Sequence, residues 1–181
     1  MFLFIILLLF PAVFIQTNNL SYGATELEWE RTEVKGSEVA DIVISSSHPD
    51  VMYVGIEENS HSLLKSIDGG KTWNEIYYLH GNKIRGITIS KNDTNLMLIA
   101  GSKGLYRTTD GGNSWSTIFN DKCWDIKLKT DDPNTVFLTK SNPTKNITEI
   151  LKSSDGGQTF TVKDNGWYSP IGGVALSNGG A

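Results

Sequence analysis

Three carboxylates in this chain stand in one chemical setting. Asp68, Asp110 and Asp155 lie in the phrases Ser66-Ile67-Asp68-Gly69-Gly70-Lys71-Thr72-Trp73, Thr108-Thr109-Asp110-Gly111-Gly112-Asn113-Ser114-Trp115 and Ser153-Ser154-Asp155-Gly156-Gly157-Gln158-Thr159-Phe160. A carboxylate among hydroxyls can act as a general acid or base, or ligate a hard cation. The aspartates lie 42 and then 45 residues apart, from 68 to 110 and from 110 to 155. Equivalent copies in separate repeats cannot all serve one site. Turn stabilisation suits all three, because Asp-Gly between alternating apolar and polar runs marks a hairpin. The glycines supply positive φ, and the aspartate bonds backbone N–H groups of its own turn.

The remaining reactive side chains are sparse. His48, His61 and His80 fall in different loops without metal-ligand spacing. The single cysteine, Cys123, excludes an intramolecular disulfide framework and, beside Trp124, reads as a small buried hydrophobe. No metal and no cofactor are expected. Glycosidases need a carboxylate pair about 5 to 10 Å apart. Glu57, Glu58 and Asp121 are the carboxylates in loops that could approach a central groove, and adjacent Glu57 and Glu58 point apart on an extended chain. Glu57 and Asp121 remain as catalytic candidates, with no pair assigned. A net charge of −4 gives no electrostatic footprint for nucleic acid.

The elements that must position these residues repeat with the phrase. Short strands precede it, at Leu63–Ser66, Leu105–Thr108 and Ile150–Ser153, and follow it, at Thr72–Ile76, Ser114–Ile118 and Thr159–Val162. The recurring Trp73, Trp115 and Phe160 suit packing between neighbouring repeats. Upstream of each phrase lie two more strand-like runs joined by a polar turn: Val39–Ser45 and Val51–Gly55, Ile84–Ser90 and Leu96–Gly101, Trp124–Lys129 and Thr135–Thr139. Four antiparallel strands in about 40 residues is the size of one propeller blade. The expected blades span about 37–79, 83–120 and 123–163.

The phrase fits Ser/Thr-x-Asp-x-Gly-x-Thr/Ser-Trp/Phe, and so resembles the Asp-box, or bacterial neuraminidase repeat. That repeat occurs in sialidases, xyloglucanase-type glycoside hydrolases, the sortilin family and a photosystem II assembly factor. The resemblance covers about residues 27 to 181 and implies an all-β β-propeller. It implies structural roles for Asp68, Gly70, Trp73, Asp110, Gly112, Trp115, Asp155, Gly157 and Phe160, on a hairpin away from the active face. It does not specify function, since the repeat spans enzymes and non-enzymes. The sialidase arginine triad has no match, because Arg31, Arg85 and Arg107 are scattered and the Phe/Tyr-Arg-Ile-Pro-type motif is absent. A xyloglucanase layout is closer, through Trp29 and His48-Pro49, with Glu57 nearest to the expected carboxylate.

The ends carry further expectations. Phe2–Ile15 is apolar and uncharged, shorter than the roughly 20 residues of a membrane span, and leads to a small-x-small stretch ending near Gly23. Residues 1–24 therefore read as an export signal, with an uncleaved anchor as the alternative, and the remainder as exported without membrane insertion after cleavage. Leu27–Thr32 resembles an orphan fourth strand, and Ile171–Ser177 an orphan first strand beginning another blade. The expectation is an incomplete propeller, the N-terminal part of a longer one or a truncated reading frame. Asn92-Asp93-Thr94 and Asn146-Ile147-Thr148 match the N-glycosylation pattern.

In a propeller the repeated turns share one face with the turns between first and second strands. The opposite face carries the loops 55–61, 101–104 and Thr139–Glu149, and the connections 77–83, 119–124 and Asp164–Pro170. Their aromatics beside polar groups suit a sugar or peptide. Ligand-binding candidates are Trp167, Tyr168, Trp124, Tyr78 and His80. The favoured expectation is an exported, non-catalytic module binding glycan or protein. The alternatives are the N-terminal part of a secreted glycoside hydrolase, and an assembly factor for a membrane-protein complex.

Overall fold

The computed structural model describes residues 38–57 and 61–167, with backbone alone for 165–167. The proposed signal segment, the orphan strands at Leu27–Thr32 and Ile171–Ser177, Glu58 and Tyr168 lie outside the described residues. Within them the chain is all-β and forms three four-stranded antiparallel sheets in one compact unit. The first sheet holds β1 (Val39–Ile44), β2 (Met52–Ile56), β3 (Ser62–Ser66) and β4 (Asn74–Tyr78). The second holds β5 (Ile84–Ile89), β6 (Met97–Gly101), β7 (Gly104–Thr108) and β8 (Ser116–Phe119). The third holds β9 (Cys123–Lys129), β10 (Asp132–Asn142), β11 (Ile147–Ser153) and β12 (Thr161–Trp167). Strands pair in chain order within every sheet. Each sheet is one blade of a β-propeller.

The alternation of side chains explains the layering. β6 is apolar throughout and buried along its whole length, as a middle strand covered on both faces must be. β4 begins with exposed Asn74 and Glu75, which keep an edge strand from recruiting another chain. The core lies between blades. Tyr53, Leu63 and Leu79 of the first blade's side meet Ile84, Ile87, Met97 and Ile99 of the second. Leu98, Ala100 and Leu105 meet Cys123, Ile126 and Leu138 across the next gap.

The first strand of each blade neighbours the first strand of the next, β1 beside β5 and β5 beside β9. Polar side chains knit these inner strands: Ile87 N donates to Asp41 Oδ2 at 2.7 Å, and Leu128 N to Thr88 Oγ1 at 3.1 Å. Farther out, Arg107 on β7 donates through Nε to the Gly156 carbonyl of the third blade at 2.8 Å.

Backbone bonds define the two rims. Gly69 N donates to Asp50 O, Gly111 N to Asn95 O and Gly156 N to Asn134 O, so each repeated turn is tied to the segment leading into its blade's second strand or to the start of that strand. At the other rim Glu57 N donates to Glu38 O, Ser102 N to Lys83 O and Ser141 N to Lys122 O. There a residue at or just beyond the end of the second strand is tied to the residue entering the inner strand.

Several expected boundaries move, and β10 begins at Asp132, three residues before the expected Thr135. The fourth strands begin at Asn74, Ser116 and Thr161, two residues after the expected Thr72, Ser114 and Thr159. Those hydroxyl residues are bonded to the aspartates and cannot join the ladder. The expected loop Thr139–Glu149 is mostly ladder, since Lys140 pairs with Glu149, Ser141 with Thr148 and Asn142 with Ile147. Asn142 Nδ2 donates to Glu149 Oε1 at 2.7 Å, so polar residues that read as loop hold the extension together. The expected connection Asp164–Pro170 begins inside β12, where Trp167 pairs with Thr148. β12 is an outer edge strand whose polar residues hid its length.

Candidate functional site

The repeated turn is a closed hydrogen-bond system. Ser66 Oγ donates to Asp68 Oδ1 at 2.8 Å and accepts from Gly70 N at 2.9 Å. Thr72 donates through its backbone N to Asp68 Oδ1 at 2.9 Å and through Oγ1 to Oδ2 at 2.6 Å. Asp110 repeats the pattern with Thr108 and Ser114, and Asp155 with Ser153 and Thr159. Both carboxylate oxygens are thus engaged in every copy. The Thr72 hydroxyl, then the Thr72 backbone N–H and the Ser66 hydroxyl, lower the Asp68 carboxyl to about 2. Ser114 and Thr108 do the same for Asp110, also to about 2. The Ser153 and Thr159 hydroxyls lower Asp155 as well. Carboxylates held this acidic are poor general acids or bases near neutrality.

Neighbouring blades press on these turns. Gly70, Gly112 and Gly157 sit at φ 88°, 96° and 81°. A Cβ on Gly112 would lie 2.8 Å from Ile76 Cδ1 of the preceding blade, and one on Gly157 would collide with Leu98 Cδ2. Trp73 and Trp115 fold back so that their indole N–H groups donate to the Gly70 and Gly112 carbonyls, at 2.9 and 3.1 Å. Trp115 then stacks on Tyr77 of the first blade, centroids 4.9 Å apart, and Phe160 meets Phe119 of the second edge-on at 5.8 Å.

The opposite rim has no such uniformity. Glu57 holds Lys83 Nζ at 3.1 Å, and Asp121 holds Lys140 Nζ at 2.8 Å, with Glu149 3.7 Å from the same ammonium. Both catalytic candidates are therefore ion-paired, and the structure assembles no metal-binding group among the described residues. Cys123 is fully buried, its thiol pushed up to about 12 by burial, which leaves it neutral and non-nucleophilic. Tyr78 is exposed and meets His80 edge-on at 4.6 Å, where His80 adopts a left-handed φ of 48°. The next residues place buried Asn82 so that its Oδ1 accepts from Ser102 Oγ at 3.1 Å and Lys103 N at 2.7 Å.

Trp124 lies on the inner strand β9, half-buried, and donates through Nε1 to Ser141 Oγ at 2.9 Å. Lys122 Nζ stands 3.6 Å from its ring centroid and Arg85 Cζ 5.0 Å. The ligand-binding candidates thus divide. Tyr78 and His80 sit at the outer side of the first blade, Trp124 at the inner edge of the third, Trp167 has only its backbone placed in β12, and Tyr168 lies outside the described residues. Sequence reasoning missed Arg85 and Lys122, treating the first as one scattered arginine. The signal was present: Ile84-Arg85-Gly86-Ile87 interrupts an apolar strand with a charge followed by glycine.

No protein-family model matches the chain, and no curated protein does. Among solved structures it is similar to a GH74 enzyme from Niastella koreensis, with 22% identity over 70% of this chain and 22% of that one, at a TM-score of 0.54. It is similar to YCF48 from Cyanidioschyzon merolae, with 20% identity over 74% of this chain and 39% of that one, at a TM-score of 0.57. It is also similar to YCF48 bound to D1 peptide, with 20% identity, 68% and 40% coverage and a TM-score of 0.52. The chain spans between about a fifth and two fifths of the length of these structures. What the likeness establishes is architecture: the described residues are the blades of an incomplete β-propeller.

Proposed function

We propose that the chain is an exported Asp-box propeller that binds a protein or glycan through the rim opposite the repeated turns, without catalysing a reaction on it. The observation that carries this is the state of the carboxylates. The three repeated aspartates are saturated by their own turns, and Glu57 and Asp121 are each neutralised by a lysine. A hydrolytic site needs two carboxylates free to face one bond. Support for a macromolecular ligand comes from the exposed Tyr78 beside His80, the cation-flanked Trp124, and the likeness to a propeller solved with a peptide. The likeness to a GH74 enzyme favours a second reading, a portion of a glycoside hydrolase. An assembly role for a membrane-protein complex falls within the protein-binding reading. Neither nucleic acid nor a cofactor enters either.

The test is binding of the purified chain to peptide and glycan arrays, with xyloglucan hydrolysis measured alongside. Binding weakened by Tyr78→Ala, His80→Ala or Trp124→Ala, with no reducing ends released, supports the binding module. Release of reducing ends that disappears in Glu57→Gln or Asp121→Asn overturns it in favour of the hydrolase.

A further inference from the structure

One level of the inner strands breaks register in every blade. Val39 pairs with Ile56 and Asp41 with Gly55, leaving Ala40 extra. Ile84 pairs with Gly101 and Gly86 with Ala100, leaving Arg85 extra. Cys123 pairs with Lys140 and Asp125 with Thr139, leaving Trp124 extra. A bulge takes one side chain out of the alternation and re-aims it, which is why bulges gather at rims and beside binding sites. The three blades place alanine, arginine and tryptophan there, so the backbone device is constant and the chemistry is not.

Two of the three bulged residues meet, with Arg85 Cζ 5.0 Å from the Trp124 centroid and Lys122 Nζ 3.6 Å from it. Lys122 stands where Lys83 stands in the preceding blade, their carbonyls accepting from Ser141 N and Ser102 N. Lys83 is neutralised by Glu57, whereas neither Lys122 nor Arg85 forms an ion pair among the described residues. Asp121 and Glu149 face Lys140, and Asp125 faces Lys127. Arg85 Nε is buried without a hydrogen-bond partner. Burial, and then the charge of Arg85, lower the Lys122 ammonium. The indole is no free platform for a pyranose, because cations already lie over it. It holds them in place.

We propose that Arg85, Lys122 and Trp124 form a carboxylate-binding site for an acidic peptide segment. The inference rests on the binding-module reading above and narrows its ligand. A peptide carboxylate accepts from the guanidinium fork and from the ammonium, the two donor types that such oxygens bind most strongly.

The test is calorimetric titration of the full chain with a blocked glutamate-rich peptide and with its glutamine counterpart of equal length. The glutamate peptide binds, the glutamine peptide does not, and added salt weakens the complex. Arg85→Ala installs the residue that the first blade carries at the same bulge, so the fold tolerates it. It and Lys122→Gln each weaken binding by about tenfold or more, as loss of a charge-assisted bond implies. Equal binding of both peptides, or unchanged affinity in both variants, overturns the site while leaving the binding module standing. A glucuronic-acid oligosaccharide that binds through these residues when the peptide does not also overturns it. Failure of every peptide and glycan to bind the wild-type chain sinks both.

Discussion

The two rims of the propeller are built from the same strands and have opposite characters. At one rim the three blades repeat a single solution: a hydroxyl before the aspartate, a hydroxyl four residues after it, and two left-handed glycines between. At the other rim, equivalent backbone bonds carry different cargo, a Glu57–Lys83 pair, an Asn82-centred polar knot, and a Lys122–Trp124–Arg85 cluster. Repetition marks what every blade needs in order to fold against its neighbour. Divergence on a constant backbone marks what individual blades are free to use for recognition.

Substitution at the repeated rim sharpens this contrast most. Gly157→Ala forces a left-handed residue to carry a Cβ into Leu98, and should cost about 2–4 kcal/mol in urea unfolding from strain and overpacking together. Arg85→Ala, at a constant bulge of the other rim, should barely move the same midpoint.

The next effect is collective and depends on pH. The folded carboxyls of Asp68 and Asp110 titrate at about 2, below the ordinary value near 4. As pH falls, the unfolded chain takes up these protons first. The stability that the turns contribute is therefore complete above about pH 4 and is lost as pH falls toward about 2. Thermal melts across that window should show the decline, and Asp110→Asn should flatten it by removing one titrating group.

The smallest effect tests equivalence between blades. Trp115→Phe copies the third blade's residue into the second. It removes the indole bond to the Gly112 carbonyl and keeps an aromatic against Tyr77, so the cost should be about 1 kcal/mol in urea unfolding. A loss several times larger would mean that the two copies are not interchangeable.

Much of the fold was legible because the Asp-Gly-Gly phrase is local: its turn forms from residues adjacent in the chain, so spacing alone reveals it. The β10–β11 extension was not legible, because Lys140, Ser141 and Asn142 look like loop until Glu149 and Thr148 are seen opposite them. The aromatic candidates were found by composition, but composition does not report radius. Tyr78 stands on an outer strand and Trp124 on an inner one. Arg85 was passed over because a bulge is invisible to any count that assumes strict alternation.

The bonds from Asp41 to Ile87, Thr88 to Leu128 and Arg107 to Gly156 have a mechanical consequence. None of the three described blades is self-sufficient, since each shares polar groups with the one beside it. Loosening one seam frees a face of the blade that also forms the next, so disturbance travels along the row of blades by nearest-neighbour relay. Stiffness in such an object is a property of the series, and a ligand that braces one seam braces its neighbours.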